Sequence, residues 1–354
     1  MVDAGVAIKG YQELLDKMKR CRVAIVGATG LVGQEFIKVL EQRRFPMSSV
    51  RLLASDRSIG RKMKVNNEEM EVKETTAISF ADIDIALFSA GADISRQFSP
   101  LAARAGAVVV DNSAAFRMEP DVPLVVPEVN PEDVEKHKGI IANPNCSTIQ
   151  MVVALYPLHR VNPIKRLTVA TYQSVAGTGA AAVEELSLQS RAVLEGGKAT
   201  PQVYPYQIAF NVLPEIDVFL ENGYTKEEWK MVEETRKIMH APDVAVSATC
   251  VRVPVYVGHS EAIQVEFSHP MSAAEARRIL SQAPGVMVMD DPVSRIYPYP
   301  LLAAGRDEVF VGRIRQDASH RHGLVMWVVS DNLRKGAALN AVQIAEELVR
   351  RSLV

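Results

Sequence analysis

The segment CRVAIVGATGLVGQEFIKVL, residues 21–40, constrains the fold more than any other part of the sequence. Its apolar run at Arg22–Val26 predicts a buried strand, after which Gly27, Gly30 and Gly33 introduce an amphipathic helix. Glycine permits a tight turn, lets a diphosphate approach bare backbone, and precedes helical amides that favour negative charge. The segment therefore predicts a dinucleotide-binding turn, with an ordinary strand-turn-helix corner as the alternative.

Strands and helices alternate after this turn. The run VRLLAS ends a second strand at Ser55, further strands are predicted at Ile83–Gly91 and Ala107–Ser113, and a helix is predicted at Ser95–Arg104. The run VPLVVPEVN, residues 122–130, is also strand-like. Such alternation indicates βαβ crossovers and a parallel sheet, so we expect an α/β, doubly wound (Rossmann) domain.

The polar stretch SDRSIGRK follows the second strand, where the adenosine ribose of a dinucleotide is usually recognised. Arg57, with Ser55 and Ser58, could hold a 2′-phosphate, which favours NADP. Asp56 would instead favour the free 2′-hydroxyl of NAD. We predict NADP, with NAD and a merely solvated turn as the alternatives.

The second half of the chain contains runs of strands with few intervening helices, which indicates a mixed or antiparallel sheet in a second, α+β domain. Predicted strands include KRLTVATYQSVAG, AVSATCVRVPV, AIQVEFS, EVFVGRIRQ and GLVMWVVSDN, and Thr225 is expected to cap a helix. We predict an N-terminal extension at residues 1–20, with a helix from Gly10 to Lys19. A dinucleotide-binding domain follows at residues 21–146, joined by a C-terminal helix at 333–354, and the second domain spans residues 147–332.

The composition of the chain bears on which classes of partner it can bind. The chain has 354 residues, a formal net charge of −2 and 48% hydrophobic residues, which gives no support for nucleic-acid or membrane binding. No stretch approaches the roughly 18 uninterrupted apolar residues of a membrane span, and the N-terminus lacks the layout of a secretory signal. Three scattered cysteines cannot make a disulfide framework or a zinc site, so we expect no metal and a cytoplasmic location.

Cys146 lies between an Asn-Pro-Asn turn and the apolar run STIQMVVALY. A thiol in the first turn of a helix experiences the positive end of the helix dipole, which favours the nucleophilic thiolate. The alternative is a small buried residue. His259, in the Gly-His-Ser turn that follows CVRVPVYV, is a candidate proton shuttle, although a histidine in a hairpin turn is more often solvated.

Taken together, these motifs resemble the aspartate-β-semialdehyde dehydrogenase family over nearly the whole chain after about residue 20. The resemblance is carried by VGATGLVG, DNSAAFRM, NPNCST, TYQSVAGTGA, FNVLPEID, KEEWKM, RVPVYVGHSE and DNLRKGAALNAVQIAE. It implies NADPH-dependent reduction of L-aspartyl 4-phosphate to L-aspartate 4-semialdehyde and phosphate, a step in lysine, diaminopimelate, threonine and methionine biosynthesis. A homodimer formed through the second domain is implied, with a tetramer as the alternative.

The resemblance also implies roles for residues. Cys146 forms the acyl-thioester, His259 is the acid/base and Gln173 orients the thioester. Substrate-binding residues are implied at Arg117, Glu227, Lys230 and Arg252, and Asn145 is a candidate oxyanion donor. On its own, the Glu227 and Lys230 spacing indicates a helix-surface ion pair.

For the cofactor, the family pattern implies a diphosphate cradle and a nicotinamide side. The predicted contacts are Gly27, Thr29, Gly30, Leu31, Val32, Gly33, Ser55, Arg57, Ser58, Ala176, Gly177 and Asn332. The sequence leaves two rival interpretations open. One is a thiol-dependent reductase for a different acyl phosphate, and the other is a non-catalytic relative.

Overall fold

The structure is a computed structural model that describes residues 19–354, so most of the helix predicted from Gly10 to Lys19 lies outside the described residues. The chain forms two compact units. Unit 1 comprises residues up to Pro127, Pro131–Asn143 and Asn340–Val354, and unit 2 comprises Glu128–Asn130 and Pro144–Leu339. In the described range, every helix is too short or too polar to cross a bilayer.

Unit 1 is built on a six-stranded sheet in which all neighbouring strands run parallel, in the order β5-β2-β1-β6-β7-β8. Its strands are β1 (Cys21–Val26), β2 (Met47–Ala54), β5 (Lys73–Glu74), β6 (Ile85–Phe88), β7 (Val108–Asp111) and β8 (Ile140–Ala142). β3 (Lys62–Val65) and β4 (Glu68–Glu71) form a separate antiparallel pair. The order reverses direction at β1, which is the topology of a doubly wound domain and confirms that prediction.

The helices of unit 1 are α1 (Leu31–Gln42), α2 (Ala92–Arg104) and the C-terminal α8 (Leu339–Arg350), of which unit 1 holds all but the first residue. β6 and β7 are buried along their whole length, as strands covered on both faces should be. Phe80 stacks on Phe88 with 5.7 Å between ring centroids, inside a core that also contains Val26 and Val109.

The strand-like run at residues 122–130 is not a strand. The structure has only an isolated bridge there, between Leu124 and Ala142. Pro123 and Pro127 bracket the apolar residues, and proline cannot donate to a ladder, so the run stays irregular although it is buried. The apolar pattern indicates that the segment is buried, but a strand and a buried loop are both buried, so the pattern does not distinguish them.

Unit 2 contains a six-stranded mixed sheet in the order β10-β9-β11-β14-β13-β12, which confirms the predicted second fold class. Its strands are β9 (Ile164–Gln173), β10 (Ala245–Arg252), β11 (His259–Phe267), β12 (Val286–Val288), β13 (Val309–Gln316) and β14 (Gly323–Ser330). The predicted hairpin around His259 is wrong. β10 pairs with β9 in parallel and β11 pairs with the other side of β9, so β9 separates them.

The helices of unit 2 are α3 (Cys146–Val161), α4 (Ala180–Leu194), α5 (Lys226–Ile238), α6 (Ala273–Leu280) and the short α7 (Pro300–Ala303). Thr225 caps α5 in a reciprocal capping box with Glu228, as its sequence predicts. The segment Arg334–Ala338 forms one turn of π-helix before α8. Such turns are rare and are frequent at functional sites.

We predict that Gly33→Ala lowers the free energy of unfolding by about 2 kcal/mol, because overpacking forces the backbone to move. A Cβ at Gly33 would lie 2.1 Å from the Gly27 carbonyl oxygen, whereas one at Gly30 would lie 3.4 Å from the same atom. Denaturant unfolding of both alanine variants tests this. Equal losses at the two positions would contradict the close approach at Gly33.

Candidate active site

The first turn of α3 presents Cys146. Asn145 caps the helix, because its Oδ1 accepts hydrogen bonds from the amides of Ser147 (3.0 Å) and Thr148 (3.1 Å). The backbone amide of Asn145 donates to Glu234 Oε2 at 2.6 Å. Cys146 is half-buried and is a reduced thiol. The expected position at a helix N-terminus is confirmed, and full burial as a small core residue is not observed.

Glu227 connects the residues around this turn. Its Oε1 accepts from Asn145 Nδ2 (2.7 Å) and Gln173 Nε2 (3.0 Å), and its Oε2 accepts from Lys230 Nζ at 3.1 Å. Lys230 also donates to Asp217 at 2.9 Å. The ion pair that the spacing indicates therefore forms, but the side chain of Glu227 is buried, so the expected surface position is wrong.

The pKa of Glu227 shows that these contacts outweigh its burial. Burial raises the pKa of a carboxyl group, but the Lys230 charge and the hydrogen bonds from Gln173, Asn145 and Lys230 lower the pKa of Glu227 to about 2. Glu227 is therefore an anion at neutral pH. Its carboxylate holds the side-chain amides of Asn145 and Gln173 and the ammonium group of Lys230 in place, and Asn145 directly precedes the candidate nucleophile.

His259 begins β11 and is fully buried, so the solvated alternative is wrong. The amide of Ser174 donates to its Nδ1 at 3.0 Å, which assigns the ring proton to Nε2. Nε2 has no hydrogen-bond partner among residues 19–354. Burial and the nearby Arg252 charge lower the pKa of His259 to about 3, so the imidazole is neutral at physiological pH.

Asn332 fixes the surroundings of this imidazole. Its Oδ1 accepts from Ser174 Oγ (2.9 Å) and from the Gly258 amide (2.9 Å). The two donors flank His259 from different parts of the chain. Asn332, predicted near the nicotinamide, therefore lies beside the loops that carry the imidazole.

Arg252 ends β10, opposite Gln173 in the register of β10 on β9. Its Nη1 donates to the Ser174 carbonyl oxygen at 2.7 Å, while its buried Nε has no partner in the described part of the chain. A Cβ at Gly177 would lie 3.1 Å from Arg252 Nη1 and 3.3 Å from His259 Nε2. The turn with Ala176 and Gly177 thus lies directly against both side chains.

Three features of the site have no counterpart in the sequence-based predictions. Glu234 lies seven residues after Glu227 on α5, and this shared helical face is a signal that could have identified it. Gly336, in the π-helical turn, is so close to Cys146 that a Cβ there would lie 2.9 Å from the cysteine Cβ. Glu261 is fully buried two residues after His259, and neither carboxyl oxygen makes a well-formed hydrogen bond within residues 19–354. No local pattern marks the last two.

The glycine-rich turn in unit 1 fits a diphosphate. Gly27 follows β1 with a φ of +84°, and a Cβ there would lie 2.3 Å from the Ser89 carbonyl oxygen. Gly30 precedes α1, and in the described structure no side chain caps the first amides of this helix. Bare backbone and uncapped amides suit an anionic group. Thr29 lies in the turn, and Leu31, Val32 and Gly33 are the first residues of α1.

The residues predicted to recognise the ribose lie close to this turn. Asp56, Arg57 and Ser58 form a short 3₁₀ helix preceded by Ser55, and Ser58 Oγ is 3.3 Å from Thr29 Oγ1. Asp56 Oδ1 accepts from the Arg57 amide at 2.8 Å. The Arg57 side chain is exposed and forms no salt bridge within residues 19–354.

Arg117, also in unit 1, is held by main-chain carbonyls. Its Nε donates to the Asn143 oxygen at 2.9 Å and its Nη2 to the Asn112 oxygen at 3.0 Å. The predicted site residues therefore divide between the units. The dinucleotide turn, the ribose residues and Arg117 belong to unit 1, whereas Cys146, Gln173, Glu227, Lys230, Arg252 and His259 belong to unit 2.

A doubly wound domain with a glycine-rich turn, and a second domain with a cysteine at a helix N-terminus and a buried histidine, define a thiol-dependent dehydrogenase. Comparison with known families agrees with this class. Residues 22–137 match the family model "Semialdehyde dehydrogenase, NAD binding domain", and residues 155–335 match "Semialdehyde dehydrogenase, dimerisation domain".

Similar proteins specify the family. The aspartate-semialdehyde dehydrogenase of Aquifex aeolicus is 60% identical over 94% of this chain and 99% of its own length. The crystal structure of aspartate-semialdehyde dehydrogenase II from Vibrio cholerae complexed with ASA is 48% identical, with a TM-score of 0.92 over 94% of this chain and 99% of that one. A Candida albicans aspartate-semialdehyde dehydrogenase with NADP is 27% identical, with a TM-score of 0.73 over 95% and 100% of the two chains. The chain belongs to the aspartate-semialdehyde dehydrogenase family.

We predict that Glu261→Gln stabilises the protein at alkaline pH. Burial raises the pKa of Glu261 well above its usual 4.5, with partial opposition from Gln150, so the folded state keeps a proton that the unfolded state releases. Stability from this group is complete below pH 4.5 and falls as pH rises, by up to about 1.4 kcal/mol per pH unit. Glutamine does not ionise, so the free energy of unfolding of the variant should not show this fall.

Denaturant unfolding at fixed protein concentration between pH 4.5 and 8.5 measures the effect. Glu266→Gln, on the same strand, is the matched control, because Glu266 pairs with Arg166 near the surface at 2.8 Å. If the free energies of unfolding of wild type and Glu261→Gln change with pH in parallel, Glu261 ionises equally in the folded and unfolded states, which would contradict the prediction.

Proposed function

We propose that the enzyme reduces L-aspartyl 4-phosphate to L-aspartate 4-semialdehyde and phosphate, with NADPH as reductant and an acyl-thioester on Cys146 as intermediate. The observation that carries the proposal is the capped helix start at Cys146. The hydrogen-bond network through Asn145, Glu227 and Gln173 connects it to the segment that holds His259. The identity of the substrate is assigned from membership of the family.

In the first step, the Cys146 thiolate adds to the acyl carbon, and the bond from that carbon to the phosphate oxygen breaks. The helix N-terminus stabilises the thiolate, because the first amides of α3 give it a positive end. When bound, NADPH supplies the hydride that reduces the thioester carbonyl. Breaking the carbon–sulfur bond then releases the aldehyde and regenerates the thiolate.

His259 serves as the proton donor and acceptor. Because the Ser174 amide occupies Nδ1, the neutral ring presents an Nε2–H group, which is the form that donates to a developing oxyanion. Giving this hydrogen bond leaves the proton on Nε2, because its full loss would make an imidazolate. Acid/base transfer at Nε2 instead requires the ring with a proton on Nδ1, where it faces Ser174 Oγ at 3.2 Å. Ser174 and Asn332 hold the ring in this orientation.

The substrate carries a carboxylate, an ammonium group and an acyl phosphate, and the site residues offer complementary charges. Arg252, with its Nε lacking a protein partner among the described residues, grips the carboxylate as a fork. Glu227 meets the ammonium group, and Lys230 and Arg117 bind the phosphate that leaves. Gln173 orients the thioester, and Asn145 contributes to the oxyanion environment.

NADP is the cofactor of this proposal. The turn at Gly27, Thr29, Gly30, Leu31, Val32 and Gly33 would hold the diphosphate, and Ser55, Arg57 and Ser58 would read the 2′-phosphate. Ala176, Gly177 and Asn332 would contact the nicotinamide side. The Candida albicans relative whose structure contains NADP supports this assignment. Asp56 does not decide between the cofactors, because its Oδ1 accepts from the Arg57 amide while Oδ2 can still accept from a hydroxyl.

The second domain is the proposed site of homodimerisation, in keeping with the family model that matches residues 155–335. A cytoplasmic location is also proposed, since none of the three cysteines is in a disulfide and the reaction needs a reduced thiol. The predicted domain limits of 21–146 with 333–354, and 147–332, are part of the same proposal.

Replacement of Cys146 tests the thioester route. We expect Cys146→Ala and Cys146→Ser to lose more than about 10³-fold in phosphate-dependent NADP reduction by L-aspartate 4-semialdehyde, because neither offers a thiolate. Cys250→Ala is the control, since Cys250 is buried next to Met231. Activity in Cys146→Ala, or wild-type activity without phosphate, would contradict the proposal.

Arg57→Ala tests the cofactor assignment separately. Loss of a charge-assisted contact should raise the KM for NADP by about 10-fold or more and leave the KM for NAD unchanged. Asp56→Ala is the neighbouring comparison and should not raise the KM for NADP. Equal use of NAD and NADP by wild type would count against this role of Arg57.

A further inference from the structure

The irregular segment that follows α4 is held by two buried side chains of that helix. Glu185 Oε2 accepts hydrogen bonds from the amides of Gln202 (3.1 Å) and Val203, and Gln189 Oε1 accepts from the Ile208 amide at 2.9 Å. Glu185 and Gln189 are four residues apart and bond to each other at 2.9 Å. The backbone from residue 202 to 208 is thereby fixed without a helix or strand.

This anchoring places Tyr204 between two parts of the proposed site. The Arg252 guanidinium carbon lies 6.0 Å from the centroid of the Tyr204 ring. The Tyr204 hydroxyl donates to Thr178 Oγ1 at 3.0 Å, and Thr178 follows Gly177 directly. The ring also packs on a small buried cluster that includes Val175 and Ile208. One side chain thus contacts both the arginine and the turn that lies against it.

The partners of Arg252 explain why an aromatic ring is suited to this place. The guanidinium donates to a carbonyl oxygen and faces a ring, and within residues 19–354 no carboxylate forms a salt bridge with it. A carboxylate partner would compete with a substrate carboxylate for the same N–H groups. An aromatic face attracts the cation without neutralising it or occupying its donors.

We propose that Tyr204 is a positioning residue that holds Arg252 ready for the α-carboxylate of the substrate, and so contributes to the preference for an amino-acid aldehyde. The inference rests on the proposed function and assigns a specificity role within that site. The ring is the part that acts on Arg252, and the hydroxyl keeps the ring aligned through Thr178.

The test compares Tyr204→Leu, Tyr204→Phe and wild type on two aldehydes. L-Aspartate 4-semialdehyde carries the α-carboxylate, and 3-aminopropanal has the same amino-aldehyde chain without it. For Tyr204→Leu we expect the KM for L-aspartate 4-semialdehyde to rise about 10-fold, as loss of a buried cation–π contact predicts. The KM values for NADP and phosphate, and kcat/KM for 3-aminopropanal, should stay within about twofold, a range too small to reflect loss of a contact of this kind.

Conservative and matched variants separate positioning from general damage. Tyr204→Phe keeps the ring and should restore most of the affinity. Tyr206→Leu removes an exposed tyrosine of the same segment, 66% exposed, and should behave like wild type. In an Arg252→Leu background, adding Tyr204→Leu should cause no further loss, because the residue through which Tyr204 acts is gone.

The outcomes are distinct. Equal losses on both aldehydes, an equal effect of Tyr206→Leu, or an additive loss in the Arg252→Leu background would overturn the role of Tyr204. Unchanged kinetics of Tyr204→Leu in an active enzyme would overturn it as well, and would leave the proposed function intact. Absence of wild-type activity on L-aspartate 4-semialdehyde would overturn the proposed function and, with it, this inference.

Discussion

The organisation of the catalytic unit depends on keeping one carboxylate, Glu227, charged in a buried place. An isolated buried charge is very costly, so its oxygens must be compensated by donors of fixed position. Here the donors are the amides of Asn145 and Gln173 and the ammonium group of Lys230. Asn145 also caps the helix that begins at Cys146, and Gln173 and Lys230 are proposed to contact the thioester and the phosphate. The requirement to satisfy one anion therefore fixes the relative positions of groups that come from α3, β9 and α5, and the position of Cys146 follows from them.

The contacts that build this site are long-range in sequence. Asn145 and Glu227 are 82 residues apart, Ser174 and His259 are 85 apart, and Ser174 and Asn332 are 158 apart. The dinucleotide turn is different, since its shape is decided within a few residues by glycine and the flanking strand and helix. Loop-closure entropy has to be overcome before distant pairs contribute. The glycine-rich turn can therefore form locally, whereas the surroundings of Cys146 require segments that are far apart in the second unit.

This difference explains how much could be predicted from the sequence. The parallel and mixed sheets, the helix start at Cys146 and the capping box at Thr225 all follow from local patterns. The burial of Glu227 and His259 does not, because hydropathy at one position does not reveal which distant donors satisfy it. The strand expected at residues 122–130 was wrong for a related reason, since apolar residues between prolines indicate burial and not pairing. Gly336 and Glu261 have meaning only through neighbours far away in the sequence. Resemblance to the family supplied the residue roles, which geometry alone leaves as proposals.

The contact between Gly336 and Cys146 has a consequence for how such a chain can change over time. The π-helical turn brings Gly336 so close to Cys146 that every other amino acid would add a carbon atom 2.9 Å from the cysteine Cβ. Main chain cannot rotate aside as a flexible side chain can. A replacement of Gly336 is therefore compatible with this structure only if the main chain moves at position 336 or at Cys146. Drift at this position would have to wait for a prior rearrangement of the turn itself.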